Sequence, residues 1–135
     1  MRTNYLLIDY ENVQPKRLPT LAGQPFKVII FVGASQTKIP VEFASALQAL
    51  GDNAEYVRIS GNGSNALDFH IAFTIGELSK SEPDATFHII SKDTGFDPLL
   101  DYVRKEGISA HRSKELADVV AQKAAPNAKT EDDKV

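Results

Sequence analysis

The sequence predicts an α/β domain, a three-layer sandwich around a central, mostly parallel five-stranded sheet with a Rossmann-like plan. Three observations carry this prediction. Short apolar runs rich in β-branched residues alternate with segments of helical period along most of the 135 residues. The connections are long enough for right-handed crossovers, which place helices on both faces of a parallel sheet. Two of the runs, Leu6-Leu7-Ile8 and Phe87-His88-Ile89-Ile90, end abruptly in polar turns that carry aspartates.

Tyr5-Leu6-Leu7-Ile8 is a short continuous apolar run and predicts a buried first strand, ended by Asp9. After Asp9-Tyr10-Glu11-Asn12, Pro15 and Pro19 limit any helix in Val13 to Leu21 to a turn or two. Phe26 to Val32 is β-branched and aromatic throughout and makes the strongest strand. Gly33 to Lys38 is its exit loop. Pro40 opens a helix with apolar positions Phe43, Ala44, Leu47 and Leu50, stopped by Gly51.

Glu55 to Ile59 predicts a third strand, and its lower apolar content suits a position nearer a sheet edge. The turn Ser60 to Asn65 leads into a helix over Ala66 to Leu78. Its apolar face is Leu67, Ile71, Ile75 and Leu78, widened by Phe69, Ala72 and Phe73. Thr86 to Ile90 is the fourth strand, with His88 as a core or sheet-face histidine. Phe96 to Lys105 follows as a helix with Phe96, Leu99, Leu100 and Val103 inward, stopped by Gly107. Ile108 to His111 is a short fifth strand, and Lys114 to Val120 suits a last helical turn or two. From Ala121 the composition turns to Ala, Lys, Asp, Asn and Pro without periodicity. The expected organisation is therefore one domain over residues 1–120 and a disordered tail over 121–135.

Composition narrows the chemistry. With no cysteine, neither a disulfide framework nor a thiolate metal site is available, which fits a cytoplasmic protein. No apolar run is long enough to span a membrane, and a membrane partner is not expected. The net charge of -3 runs against a bulk nucleic-acid binder, which is usually basic. Setting aside Asp9, Asp68, Asp93 and Asp97 as metal ligands changes the balance, since the remaining acids no longer outnumber the 15 bases. A local acidic site in a neutral-to-basic surround suits a polyanion bridged by metal.

Those four aspartates are the main candidate site. In a parallel sheet the βα loops open on one edge, and ligands bind outside the carboxyl ends of the strands. Asp9 and Asp93 fall at two such ends, Asp97 follows in the next helix, and Asp68 lies in the first turn of the helix after the third strand. Carboxylates suit Mg2+ or Mn2+, and two or three of them from separate strand ends could hold one or two ions. Such ions stabilise the charge that develops in phosphodiester cleavage. A plainer explanation exists for three of the four. Asp68 and Asp97 are also favourable helix N-terminal charges, and Asp93 is also a turn or N-cap residue. It explains Asp9 poorly, because nothing local calls for an acid after Leu-Leu-Ile.

Asn12 could orient Asp9 or touch phosphate, or simply make an Asx turn. Ser91 could support Asp93 or bind phosphate. Glu11 alternates in direction with Asp9 if the segment stays extended, which leaves it outside the site. Lys38, Arg58, Lys92 and Arg112 fall near the same edge and could contact a phosphate backbone, though each alone is also ordinary surface charge. Gly61-Asn62-Gly63-Ser64-Asn65-Ala66 matches the Gly-x-Gly-x-x-Gly/Ala dinucleotide pattern. That pattern belongs to a first βα turn, whereas here it follows the third strand.

Taken together, Leu6-Leu7-Ile8-Asp9-Tyr10-Glu11-Asn12, Asn65-Ala66-Leu67-Asp68-Phe69 and Ile90-Ser91-Lys92-Asp93-Thr94-Gly95-Phe96-Asp97-Pro98-Leu99 resemble the three motifs of PIN-like nuclease domains, particularly the NYN branch. The motifs occur in the family's order over roughly residues 4–120. The resemblance implies a PIN-like fold with Asp9, Asp68 and Asp93 as core metal ligands, Asp97 as a fourth acid, and Asn12 and Ser91 as supporting groups. It implies Mg2+- or Mn2+-dependent hydrolysis of RNA or other single-stranded or structured nucleic acid, and the expected function is an endoribonuclease using a metal-activated water. From their place at the loop edge, Lys38 and Lys92 are taken as substrate-binding. Two positions depart from the branch pattern: Gly95 stands where a second aspartate is expected, and Ser64 where a basic residue often precedes Asn65. They leave open the alternative of a catalytically degenerate module that binds RNA or a protein partner. A homodimer is a further open partner.

Overall fold

The computed structural model describes residues 3–15, 26–61, 63 and 65–119. The expected tail and most of the Val13–Leu21 segment lie outside them. The strands are β1 (Asn4–Asp9), β2 (Phe26–Val32), β3 (Ala54–Arg58), β4 (Thr86–Ile90) and β5 (Ser109–Ser113). The helices are α1 (Val41–Gln48), α2 (Ala66–Ser81) and α3 (Asp97–Lys105), with short 3-10 turns at Gly51–Asn53 and Thr94–Phe96. Residues 116–119 add a last helical turn. The strands form one sheet in the order β3-β2-β1-β4-β5, and every pairing is parallel. The expected architecture holds, and the sheet is all-parallel rather than mostly so.

This order has one topological switch point. From β1 the chain builds outward through β2 to β3, then returns to lay β4 on the other flank of β1, and β5 beyond it. Loops leaving β1 and β4 diverge there, and the carboxyl ends of these two strands frame a crevice. The polar β3, mostly exposed or half-buried, is an edge strand, as its composition predicts.

Strand alternation sorts the core into two layers. Tyr5, Leu7, Phe31, Phe87 and Ile89 face α2 and α3, packing on Leu67, Ile71, Ile75, Phe96 and Leu100. Leu6, Ile8, Val28, Ile30 and Ile90 face α1, packing on Phe43 and Leu47, with Leu116 and Val119 closing that side. Each fully buried Leu, Ile or Phe contributes about 1.5–3 kcal/mol relative to exposure, and this is what holds the strand ends in place. The parity also decides the site: Asp9 shares the face of Tyr5 and Leu7, so its side chain emerges toward α2 and α3.

α2 departs from expectation on its outer face. Leu67, Ile71 and Ile75 are buried, but Phe69 is 70% exposed and Phe73 is 69% exposed. They do not widen the core-facing stripe. α3 ends where Gly107 takes φ +87°, with Ile108 N–H donating to Val103 O at 3.0 Å and Gly107 N–H to Arg104 O at 3.0 Å. This paired closure satisfies the last carbonyls and turns the chain into β5. No helix among the described residues is long and apolar enough to cross a membrane.

Candidate active site

Asp9 ends β1 at the switch point and is only 4% exposed. The chain turns immediately: Asn12 N–H donates to Asp9 O at 3.1 Å, and Val13 N–H to the same carbonyl at 2.8 Å. From β4, the fully buried Ser91 reaches across, its Oγ donating to Asp9 Oδ2 at 2.9 Å. The same Oγ accepts from Asp93 N–H at 3.0 Å. One hydroxyl therefore ties the two strand ends together and sets the start of the Asp93 loop. Asn12 adds a second tie, its Oδ1 accepting from Lys92 N–H at 2.6 Å. Ser91 and Asn12 are thus committed to holding the acids and their loop.

Asp93 caps the following turn, Oδ1 accepting from Gly95 N–H at 2.8 Å. A Cβ at position 95 would stand 2.9 Å from that same oxygen. Glycine lets the Asp93 carboxylate fold back here, and any side chain at 95 would displace it. The N-cap role foreseen for Asp93 is real, and it coexists with a place in the acidic cluster.

The electrostatics show which acids meet. Asp68, half-buried in the first turn of α2, has its pKa pushed up to about 6, first by burial and then by the negative charges of Asp93, Asp9 and Glu11. Asp9 is also raised, chiefly by burial, with Glu11 and Asp93 adding to it. The Ser91 hydroxyl and the Asn12 amide pull the other way. Three strand or helix ends thus bring Asp9, Asp68 and Asp93 into mutual repulsion.

Two acids change places relative to the sequence analysis. Glu11 was set outside because an extended chain would point it away, but the chain turns after Asp9. Its side chain lies over Gly33, and its charge acts on both Asp9 and Asp68. Asp97 sits at the start of α3 in an ion pair, with Arg112 Nε donating to Oδ1 at 2.9 Å and a second guanidinium nitrogen to Oδ2 at 3.3 Å. The Arg112 hydrogen bond and charge hold its pKa below the usual carboxylate range. Arg112 also donates to Ser91 O at 3.2 Å, so this pair braces the β4 exit from the β5 side.

Lys38 and Lys92 are exposed. Lys38 lines a shallow groove with Gln36, Tyr56 and Arg58, and Arg58 donates to Ala34 O at 3.1 Å. The glycine-rich turn follows the edge strand β3 rather than the switch point, which removes the positional basis for dinucleotide binding. His70 of α2 pins this turn, accepting from Ser60 N–H at 3.2 Å through Nε2, while its Nδ1–H donates to Ala66 O at 2.6 Å. His88 is buried in the sheet with Nε2 3.1 Å from Asn4 Oδ1.

Carboxylates at the mouth of a crevice are hard oxygen donors of the kind Mg2+ and Mn2+ take, and magnesium needs only one or two of them when waters and phosphate complete its shell. The donor chemistry fits such an ion. Among the described residues no group of three or more acidic or histidine side chains is gathered closely enough to close on a metal.

The domain is an all-parallel α/β sheet with repelling acids at its switch point, and its glycine-rich turn lies away from that point. A PIN-domain family model matches residues 3–113, and the chain belongs to that family, whose members are typically nucleases. No curated protein and no solved structure matches the chain.

Proposed function

We propose that this domain is a metal-dependent nuclease of the NYN branch, an endoribonuclease acting in the cytoplasm. The observation that carries this is the convergence of Asp9, Asp68 and Asp93 at the switch point, where burial and the neighbouring acids raise the proton affinity of Asp9 and Asp68. Such a set is costly without a cation and is relieved by one. Asp9, Asp68 and Asp93 would hold Mg2+ or Mn2+ through one or two carboxylates at a time, with water and substrate phosphate completing the shell, while the carboxylate of Asp97 is engaged by Arg112. A bound ion would supply Lewis-acid charge for the developing negative phosphoryl oxygens and make water acidic enough to act as a nucleophile at neutral pH.

The chain's own residues do the positioning. Ser91 Oγ orients the Asp9 carboxylate and the Asp93 amide together. Asn12 holds the Lys92 amide, and the exposed Lys92 side chain, adjacent in sequence to Asp93, would meet a phosphate. Lys38 would meet the strand further along the same sheet edge.

The test is cleavage of an RNA with single-stranded and hairpin parts in Mn2+, Mg2+ or EDTA, with Asp93→Asn prepared identically. Cleavage that needs metal and disappears in the variant is the expected result. Equal cleavage by both proteins would sink the assignment. RNA affinity retained in EDTA with no cleavage in any metal would turn it toward a degenerate binding module.

A further inference from the structure

Beside the acids lies an open groove of about 390 Å3 between α2 and the start of α3. Asp68 and Asp93 form one part of its lining, and Phe69, Ala72, Phe96 and Leu99 form the apolar remainder. Phe96 is buried and serves as floor, whereas Phe69 stands 70% exposed at the rim. Phe69 directly follows Asp68, and Phe73, one turn further along α2, is 69% exposed on the same side. Neither phenylalanine belongs to either core cluster. An exposed aromatic pair next to charged chemistry is a marked departure from a solvated helix face.

Charge alone does not seat a nucleic acid here. The groove lining carries two acids and no basic residue among the described residues, and the chain is -3 overall. Affinity close to the acids must come largely from contacts that ignore phosphate charge, and base–aromatic stacking is the one that Phe69 can make. In a duplex the base faces are already stacked, so only an unpaired base can use such a ring.

Resting on the nuclease reading above, we infer that Phe69 is a specificity-determining residue that stacks an unpaired nucleobase in this groove, next to the phosphate presented to Asp68 and Asp93. Phe73 extends the same platform. The domain therefore distinguishes unpaired from paired segments by stacking, a choice that phosphate contacts common to both do not make.

The test uses the full chain carrying Asp93→Asn to prevent cleavage, with Mg2+ present and a single-stranded RNA containing 2-aminopurine. Binding is expected to change the fluorescence of the base analogue. Adding Phe69→Ala should weaken binding on the order of tenfold and remove that change, with the melting temperature unaltered because the ring is exposed. Phe69→Trp should restore both, and the same RNA in a duplex should give no response. Equal affinity and fluorescence with and without the Phe69 ring would overturn the inference, as would failure of the Asp93→Asn protein to bind the single strand. So would a Phe69→Ala change that only dissociates a dimer in sedimentation, since the ring would then face a second copy. Cleavage by the unmodified chain is scored separately. If it cleaves but Phe69 is neutral, the nuclease reading survives alone. If it never cleaves yet binds through Phe69, the stacking platform survives alone.

Discussion

Asp9 and Asp97 lie on the same edge of the same sheet, and their surroundings are opposite. Asp9 is buried, hydrogen-bonded to Ser91, and faced by other acids, so its proton affinity rises. Asp97 is half exposed, gripped by Arg112, and its proton affinity falls. An acid already neutralised by a guanidinium has little left to offer a cation. An acid held in place against its like-charged neighbours has its charge uncompensated. The contrast separates a carboxylate paired within the fold from an unpaired one facing like charges, although both are aspartates beside a strand end.

The largest expected effect comes from the repelling set. Asp9→Asn or Asp68→Asn should lower cleavage by on the order of a hundredfold or more, measured as initial rate at saturating RNA. Asp97→Asn should leave that rate near that of the unmodified chain. A loss at Asp97 equal to that at Asp9 would erase the distinction drawn here.

Ser91→Ala ranks next. It removes the donor to Asp9 and leaves the buried end of β4 short of a partner for the Asp93 amide. A loss of about 1–3 kcal/mol in stability is expected, read by chemical denaturation, together with slower cleavage. Ser91→Thr, which keeps the hydroxyl, should recover part of the rate.

Gly95→Ala probes the other support of Asp93. The added Cβ would crowd Asp93 Oδ1 at 2.9 Å and turn the carboxylate away. Cleavage should fall while the fold, read by circular dichroism, stays intact. Unchanged cleavage would mean that the folded-back carboxylate is not the working position.

The smallest effect is on stability against pH. Asp68 and Asp9 bind protons more tightly in the folded chain than in the unfolded one, where aspartate titrates near 3.9. Folded-state protonation then exceeds that of the unfolded state between that value and about 6 for Asp68. Stability contributed by these groups is accordingly highest at the acid end of the window and falls as pH rises through it. Melting curves in EDTA should show this slope, flattened in Asp68→Asn. At pH 7 added Mn2+ should raise the melting temperature of the unmodified chain more than that of Asp68→Asn. Asp97 carries the opposite sign, contributing above the unfolded pKa and losing that contribution as pH falls.

The pattern of residues by itself determined the fold class and the order of the elements, and it pointed to the sheet edge at which Asp9, Asp68 and Asp93 lie. Apolar runs such as Phe26–Val32 have one comfortable outcome, a strand covered on both faces, and the spacing of Phe96, Leu100 and Val103 repeats with the helix. These are local properties of period and side-chain volume. The polar composition of β3 was equally sufficient to place it at an edge.

Other features were decided only in three dimensions. Glu11 joined the acids because the chain turns after Asp9, a turn closed by amides onto the Asp9 carbonyl rather than dictated by residue type. Asp97 was withdrawn by Arg112, fifteen residues away on β5, and no spacing rule links the two. Phe69 and Phe73 were read as core because aromatic side chains on an amphipathic helix usually are. Their exposure depends on how far around α2 the core reaches: it buries Leu67, Ile71 and Ile75 and touches the half-buried Ala66 and Leu78, but not Phe69 or Phe73. The face a helix turns to its neighbour follows from its composition, but the width of that face is set by the neighbour.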